Sequence, residues 1–250
     1  MSKKIQSDKV RLDLLLVERG LTPSREKAQA LLLAGQVRVD GQTAAKPGTQ
    51  LSRDAAIEIV GDNLRYVGRG GLKLEGALDD FQLSPQGRVC LDVGSSTGGF
   101  TDCLLQNGAA KVYAVDVTIA QLDWKLRQDP HVILVERNAR YLESSDVPEP
   151  PLFVTVDVSF ISLSKILPAV ASVAAPVADC LVLIKPQFEL EKRKIGKGGI
   201  VRDPALHDEA IRRVTEAVKQ CGLEVVGVRP SRVAGAKGNL EFFLHGRKRE

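Results

Sequence analysis

A glycine-rich turn, residues 94–99, is the most informative motif of this chain. It follows the apolar run 88–91, which is typical of a buried strand, and it opens a segment that can continue as a helix. Glycines at such a turn let the backbone approach a ligand closely, and a helix N-terminus offers unpaired N–H groups. The spacing differs from the G-x-G-x-x-G pattern of dinucleotide folds. The turn therefore favours a nucleoside-like ligand without a pyrophosphate, which indicates S-adenosylmethionine.

Polar residues at the ends of the next apolar runs are candidates for the same site, because open parallel sheets bind ligands outside the carboxyl ends of their strands. Asp116 ends the second run, where a carboxylate can accept hydrogen bonds from ribose hydroxyls. Asn138 ends the third run, where its side chain can contact an adenine, although an ordinary polar loop explains it almost as well. The predicted cofactor residues are Asp92, Gly94, Ser95, Ser96, Thr97, Gly98, Gly99, Phe100, Asp116 and Asn138.

Two charged residues occupy positions at which an apolar residue would fit the strand pattern equally well. Asp157 interrupts the apolar run 154–160, and Lys185 immediately follows the run 181–184. Loss of hydration beside a buried strand favours the neutral form of a lysine amine. A neutral amine can take a proton from a hydroxyl group. The two residues therefore indicate proton-transfer chemistry, whereas Lys185 taken alone fits a solvated strand-end charge equally well.

The composition is that of an ordinary globular protein, with 44% hydrophobic and 26% charged residues. A net charge of +4 is too small to establish a polyanionic partner by itself. Basic residues nevertheless gather in two stretches without acids, residues 65–73 and 192–202. Such stretches are typical of nucleic-acid-binding surfaces, although solubility alone explains some of them.

Cysteine usage and the N-terminal residues predict a reducing cytoplasmic location. The four cysteines form no CxxC pair, with the three histidines they make no metal-ligand pattern, and no signal-peptide core is present. Residues 166–184 approach the length of a membrane span, but they contain Pro168, Pro176 and Asp179. We interpret them as a buried helix, a turn and a core strand, and we expect no stable membrane association.

The periodicity of apolar residues predicts two domains. Residues 1–61 form a compact α+β unit with two short helices and a small sheet, and residues 62–69 form a linker. In residues 70–250, strands alternate with helices, which requires a mostly parallel α/β sheet covered on both faces. The predicted helices of this domain lie near residues 71–81, 99–107, 119–128, 166–175 and 204–221, and the strands near 88–92, 111–116, 132–135, 153–156, 180–184, 224–229 and 240–244.

An ordered set of four charged residues resembles that of the RNA ribose 2′-O-methyltransferases related to FtsJ, namely Lys73, Asp157, Lys185 and Glu241. The N-terminal block resembles the S-four RNA-binding domain, on the basis of Arg11-Leu12-Asp13, Ser24-Arg25, Ala28, Gly35 and Val37-x-Val39-x-Gly41. The order of the two domains and the phrases at residues 69–73 and 185–189 are similar to the TlyA family. This resemblance covers nearly the whole chain from Lys9 onward.

The resemblance implies a Rossmann-like, class I methyltransferase domain that uses S-adenosylmethionine and no metal. By analogy, Lys185 takes the proton of a ribose 2′-hydroxyl, and Asp157 orients its amine. Lys73 favours the neutral form of that amine or steers the hydroxyl, and Glu241 completes the polar network or holds the ribose. The implied substrate is ribosomal RNA or a ribosomal subunit, methylated at cytidine riboses.

Basic residues of both domains are predicted to contact the RNA phosphates. For each of them taken alone, a solvated surface charge is the more common role. Aromatic residues make up only 4% of the chain, so recognition of folded RNA by shape and phosphate contacts fits better than a stacking platform. The candidates are Arg11, Arg25, Lys27, Arg38, Arg65, Arg69, Lys192, Arg193 and Lys194.

Two other functions stay open at this point. TlyA-like proteins often carry the label haemolysin, which suggests a membrane-active protein, but the prolines and the aspartate of residues 166–184 argue against it. A base methyltransferase is the other alternative. The Asn-Pro-Pro-Tyr motif associated with amino-group methylation is absent, and residues 157–160 occupy the corresponding strand end. The sequence gives neither the target nucleotide nor the oligomeric state.

Overall fold

The computed structural model describes residues 9–59, apart from residues 23, 34 and 45, together with residues 65–249. The chain divides into two compact units, Met1–Leu64 and Arg65–Glu250. The first three residues of the predicted linker, residues 62–64, lie outside the described residues. Residues 65–69, predicted as the rest of that linker, pack within the second unit, where Tyr66 is almost completely buried.

The first unit is a small α+β fold. A core of Leu12, Leu16, Ala28, Leu32 and Val37 packs its two helices against its strands. The Ser24 hydroxyl accepts a hydrogen bond from the Lys27 amide, as expected at a helix N-terminus. The sequence patterns missed three short strands, β1, β3 and β4. The elements are β1 Lys9–Arg11, α1 Leu12–Glu18, α2 Arg25–Leu33, β2 Val37–Val39, β3 Gln42–Thr43, β4 Gln50–Ser52 and β5 Ile57–Ile59.

The second unit alternates strands and helices, and this confirms the predicted α/β class. One predicted helix differs from the structure, because residues 119–128 form a 3-10 turn and a separate short helix. The short helix after Lys185 was not predicted. The helices are α3 Gly70–Phe81, α4 Gly99–Gln106, α5 Trp124–Arg127, α6 Leu167–Val173, α7 Pro186–Glu189 and α8 Pro204–Gln220. The strands are β6 Val89–Val93, β7 Lys111–Asp116, β8 Val132–Glu136, β9 Phe153–Val156, β10 Ala178–Ile184, β11 Leu223–Pro230 and β12 Phe242–Lys248.

The strands of the second unit form one sheet in the order β11-β12-β10-β9-β6-β7-β8. Neighbouring strands from β10 to β8 are parallel, and β12 runs antiparallel to β10 and β11. The sheet is therefore mostly parallel, as predicted. The last strand begins at Phe242, two residues later than predicted, so Glu241 immediately precedes it.

Both faces of this sheet are covered by helices. Alternate residues of β10 belong to two different cores, because successive side chains of a strand point to opposite faces. Leu181 and Leu183 pack with residues of α3 and α4, whereas Val182 and Ile184 pack with residues of α6 and α8. Residues 166–184 contain α6, a turn and β10, as interpreted from the sequence. Within the described part of the chain, no helix combines the length and the apolar character needed to cross a membrane.

Candidate active site

The strand directions bring the predicted catalytic residues to one edge of the sheet. Asp157 and Lys185 follow the carboxyl ends of the parallel strands β9 and β10. The antiparallel strand β12 has its amino end at the same edge, since Phe242 is paired with Ile184. Glu241, directly before β12, therefore lies at the same edge as Lys185, which directly follows β10. The fourth residue, Lys73, lies in the first turns of α3.

The charged cluster, Lys73, Asp157, Lys185 and Glu241, consists of two ion pairs. The Lys73 Nζ lies 2.6 Å from the Glu241 Oε2, and both side chains are buried, with 9% and 2% exposed. Lys185 pairs with the Asp157 carboxylate, and its Nζ also donates a hydrogen bond to the Ser159 Oγ at 3.0 Å. Each ammonium group therefore has a fixed orientation in the fold.

The glycine-rich turn packs tightly against this cluster. Gly94 has a φ of +87°, and a Cβ atom at this position would lie 2.3 Å from the Asp157 carbonyl oxygen. At Gly99, a Cβ atom would lie 2.9 Å from the Gly71 nitrogen at the start of α3. Glycine is required at both positions, because any side chain would push the turn away from Asp157 or from the helix that carries Lys73.

A larger cavity of about 500 Å³ opens beside the turn. Its walls combine the turn with residues that follow β7, β8 and β9. The Asp116 Oδ2 accepts a hydrogen bond from the Ser96 amide at 2.9 Å, which fixes the carboxylate at the cavity edge. Asn138 lines the cavity and also caps a 3-10 turn, since its Oδ1 accepts from the Arg140 amide. The lining residues include Gly94, Ser96, Asp116, Val117, Asn138, Ala139, Asp157, Phe160, Ile161 and Ile166.

A smaller cavity of about 180 Å³ shares Gly94, Ser96 and Asp157 with the larger one. Its other walls include Arg69, Lys73, Ser95, Thr97, Gly99 and Phe100. Lys73 and Asp157, which belong to different ion pairs, thus face one space. Lys185 and Glu241 are not wall residues, and each is joined to the cavity through its partner.

Asp92 and Gly98, two of the predicted cofactor residues, line neither the larger nor the smaller cavity. The Asp92 side chain is fully buried beneath the turn, where it accepts hydrogen bonds from the Thr101 hydroxyl at 2.6 Å and the Thr155 hydroxyl at 3.1 Å. Burial raises the pKa of Asp92 to about 7. Gly98 faces the α5 region, and a Cβ atom there would lie 2.2 Å from the Leu126 Cδ1.

This buried carboxyl makes folding stability depend on pH. Because the pKa of Asp92 is about 7 in the folded chain and ordinarily 3.8, the folded state binds more protons between these values. The free energy of unfolding therefore falls as pH rises through this window. Asp92→Asn should remove the loss and stabilise the protein at pH 8 by up to about 4 kcal/mol, with little effect below pH 4. Urea unfolding of the wild type and Asp92→Asn between pH 4 and pH 8 measures the difference. Free energies of unfolding that change in parallel with pH in the two proteins would contradict the prediction. Asp208→Asn, on the exposed face of α8, is the control.

Sequence patterns missed several residues around the cluster. Ser159 contacts Lys185, and its position two residues after Asp157 was the available signal. Phe160 is 91% exposed at the rim of the larger cavity, with its ring centroid 5.1 Å from that of Phe188. An exposed ring at a cavity rim is available for stacking on a planar ligand. Nothing in the sequence signalled this exposure, because phenylalanine in an apolar run normally indicates core.

The predicted RNA-binding residues of the first unit are on its surface. Lys27 and Arg38 are exposed. Arg11 and Arg25 both contact the fully buried Asp13 carboxylate, each at 2.9 Å, and their guanidinium groups stay 39% and 47% exposed as side chains. These contacts hold the pKa of Asp13 well below its usual range. Two arginines on one buried carboxylate leave a net positive charge with a fixed orientation.

In the second unit, several predicted RNA-binding cations are engaged within the protein. Arg193 pairs with Glu191 at 2.6 Å, and Lys194 contacts both carboxylate oxygens of Glu209. Arg65 pairs with Glu75, and Arg69 donates to the backbone carbonyls of residues 234 and 235. Lys192 is exposed. Ion pairing reduces the positive charge that Arg193 and Lys194 offer to a phosphate. These two residues are therefore weaker candidates for RNA contacts than their positions in the sequence indicated.

Two family models match this chain and agree with the two units. The FtsJ-like methyltransferase model matches residues 66–248, and the S4 domain model matches residues 10–57. The chain belongs to the FtsJ-like methyltransferase family. This FtsJ-like enzyme has the charged cluster and the glycine-rich turn inside the matched segment.

Individual relatives align with this chain over most of their own length. The chain is 49% identical to YqxC of Bacillus subtilis, a candidate rRNA methyltransferase, over 96% of this chain and 86% of that one. It is 46% identical to the 16S/23S rRNA (cytidine-2′-O)-methyltransferase TlyA of Mycobacterium tuberculosis, over 94% and 89%. A solved structure of a candidate hemolysin from Streptococcus thermophilus superposes with a TM-score of 0.77 and 43% identity, covering 98% and 90%.

Proposed function

We propose that this FtsJ-like enzyme transfers a methyl group from S-adenosylmethionine to the ribose 2′-hydroxyl of cytidines in ribosomal RNA. The observation that carries the proposal is the convergence of both ion pairs of the charged cluster with the glycine-rich turn at one cavity. The relative from Mycobacterium tuberculosis, named for this reaction, supports the choice of cytidine ribose. A substrate of this kind also favours a cytoplasmic location.

The larger cavity suits S-adenosylmethionine in size and in chemistry. Its volume of about 500 Å³ is within the range of pockets that bind small ligands. Asp116 offers carboxylate oxygens for ribose hydroxyls, and Val117, Ala139 and Ile161 offer apolar surface for an adenine. When bound, S-adenosylmethionine supplies an electrophilic methyl group on a sulfonium centre. That no metal takes part stays a prediction.

The Asp157–Lys185 pair provides the groups for moving the proton. Asp157 and Ser159 hold the Lys185 Nζ in one orientation. In its neutral form, the Lys185 amine accepts the proton of the 2′-hydroxyl at Nζ. Holding the amine and the hydroxyl in a fixed arrangement lowers the entropic part of the barrier.

The Lys73–Glu241 pair provides a fixed positive charge beside Asp157. Lys73 faces the smaller cavity, and Glu241 holds its ammonium group from the protein side. In this position, Lys73 can donate a hydrogen bond to the ribose oxygen while that oxygen loses its proton. Glu241 acts by positioning Lys73, because its side chain is only 2% exposed.

The proposed RNA contacts lie in both units. Exposed cations bind phosphates without sequence preference, so they position RNA and do not select the nucleotide. Most of the proposed phosphate contacts are made by four residues of the S4 domain and by Lys192 of the second unit. The four S4 residues are Arg11, Arg25, Lys27 and Arg38. Arg65 and Arg69, at the start of the methyltransferase unit, extend this set.

Mapping of ribose methylation tests the function directly. Ribosomal subunits lacking the modification are treated with the protein and labelled S-adenosylmethionine, and mass spectrometry locates the new methyl group. We expect it on the 2′-oxygen of a cytidine, and excess S-adenosylhomocysteine should suppress it. A methyl group on a base, or no transfer to either subunit, would refute the proposal. Dye release from liposomes without S-adenosylmethionine would instead support the membrane-active alternative.

A further inference from the structure

The segment that follows Asp157 is held in a strained conformation. Phe160 has a φ of +65°, although it is not glycine, and its side chain is 91% exposed. A bulky residue in this left-handed region is unfavourable, and it persists only where the surrounding structure enforces it. Contacts of residues 157–163 with the rest of the fold therefore stabilise the left-handed conformation of Phe160.

The short helix α7 and the residue before it contact this segment at successive points. Lys185 holds Asp157 and Ser159, and the Phe188 ring packs on the Phe160 ring. At the far end, Glu189 accepts hydrogen bonds from Ser162 and Leu163. The two segments thus run alongside each other, with contacts on both sides of the strained residue.

Glu189 is committed to this contact with both of its carboxylate oxygens. Its Oε2 accepts from the Ser162 hydroxyl at 2.7 Å, and its Oε1 accepts from the Leu163 amide at 2.9 Å. Only 7% of the residue is exposed, and burial raises its pKa. Its own backbone carbonyl accepts from Arg213 of α8 at 3.1 Å, which fixes the end of α7. Glu189 lines neither the larger nor the smaller cavity, so its carboxylate is directed at residues 162–163 and not at the proposed cofactor site.

We propose that Glu189 is a positioning residue, which anchors residues 162–163 so that Asp157 and Ser159 stay in contact with the Lys185 amine. The sequence phrase 185–189 then has a physical meaning: its first residue carries the reactive amine, and its last residue holds the segment that orients this amine. The catalytic consequence rests on the proposed methyltransferase function, whereas the positioning itself does not.

Three variants separate positioning from other roles. Glu189→Ala removes both hydrogen bonds. Glu189→Gln keeps them, since its oxygen can accept from the Leu163 amide and its amide group can donate to the Ser162 hydroxyl. Glu216→Ala is the matched control. Glu216 and Glu189 both line a third cavity of about 520 Å³, but Glu216 is 64% exposed and pairs only with Lys219 among the described residues.

Steady-state methyl transfer gives the first readout. We expect Glu189→Ala to lower kcat on the order of 10- to 100-fold, as for a small misplacement of reacting groups, with the KM for RNA changed less than about threefold. Glu189→Gln should recover kcat to within about threefold, and Glu216→Ala should match the wild type. Wild-type kcat in Glu189→Ala, or a Glu189→Gln variant as impaired as Glu189→Ala, would overturn the proposal.

The reactivity of the Lys185 amine gives a second readout that needs no turnover. Acylation by a soluble N-hydroxysuccinimide ester, followed by mass spectrometry, should be several-fold faster at Lys185 in Glu189→Ala than in the wild type or Glu216→Ala. Unchanged reactivity of Lys185 in Glu189→Ala would overturn the positioning role, whether or not the protein transfers methyl groups. Absence of methyl transfer by the wild-type protein would refute the proposed function and not the positioning role. If Glu189→Ala does not fold, Ser162→Ala removes one of the two hydrogen bonds, and unchanged Lys185 reactivity and kcat in that variant would count against the proposal.

Discussion

Replacing Lys185 with alanine is expected to lower the rate of methyl transfer by about 10³-fold, while the affinities for S-adenosylmethionine and RNA change little. Positioned proton transfer typically contributes a factor of about 10² to 10⁴. Lys185 lines neither cavity, and its amine is directed at Asp157 and Ser159, so its removal leaves the walls of the cofactor site in place. Single-turnover kinetics with labelled S-adenosylmethionine measure the transfer step, and equilibrium binding measures both affinities.

Lys185→Arg distinguishes a proton acceptor from a fixed charge. Arginine can keep the ion pair with Asp157, but its guanidinium group does not give up a proton in proteins, so it cannot act as a base. We expect this variant to be as slow as Lys185→Ala. Substantial activity would assign Lys185 an electrostatic role instead. Lys165→Ala, an exposed lysine in the segment before α6, should keep wild-type activity and is the control.

Breaking the Lys73–Glu241 pair is expected to have the second large effect, and this one includes stability. In Lys73→Met, the Glu241 carboxylate keeps 2% exposure and loses the ammonium group 2.6 Å away. Removing one partner of a buried ion pair typically costs about 3–5 kcal/mol, because the other charge is left uncompensated. The free energy of unfolding should fall by this order, and methyl transfer should be lost.

The double variant Lys73→Met/Glu241→Gln tests the cause of that instability. Glutamine carries no charge, so the double variant should be more stable than Lys73→Met alone, yet it should remain inactive. Urea unfolding curves of the wild type, Lys73→Met, Glu241→Gln and the double variant give the coupling between the two residues. A loss below about 1 kcal/mol in Lys73→Met would mean that water reaches Glu241 after the substitution.

The edge of the sheet that carries the site was predictable from the sequence. Asp116, Asp157 and Lys185 each end or follow an apolar run, and this change from apolar to charged residues marks the carboxyl end of a strand. The pairing within the charged cluster was not predictable. Glu241 meets Lys73 because β12 inserts antiparallel between β10 and β11, and local patterns carry no information about that strand order. The predicted start of the last strand at residue 240 would have placed Glu241 inside the strand.

Contacts made within the fold explain why Asp92, Arg193 and Lys194 differ from what their sequence patterns indicated. Asp92 follows the sequence pattern of a ligand residue, but its neighbours Thr101 and Thr155 satisfy it inside the fold. Arg193 and Lys194 belong to an acid-free stretch, yet Glu191 and Glu209 pair with them across space. Charge counted along the chain therefore overstates the charge available at the surface wherever folding brings acids from other segments.

With Lys185 protonated, the charged cluster contains two ammonium groups and two carboxylates and is electrically neutral as a whole, and with the Lys185 amine neutral it carries one net negative charge. A neutral cluster exerts little long-range attraction on a polyanion. The proposed capture of RNA therefore depends on exposed cations such as Lys27 and Arg38, whose attraction for phosphates is screened by dissolved ions. Ionic strength is a means to weaken capture while leaving the intrinsic rate of the chemical step largely unchanged.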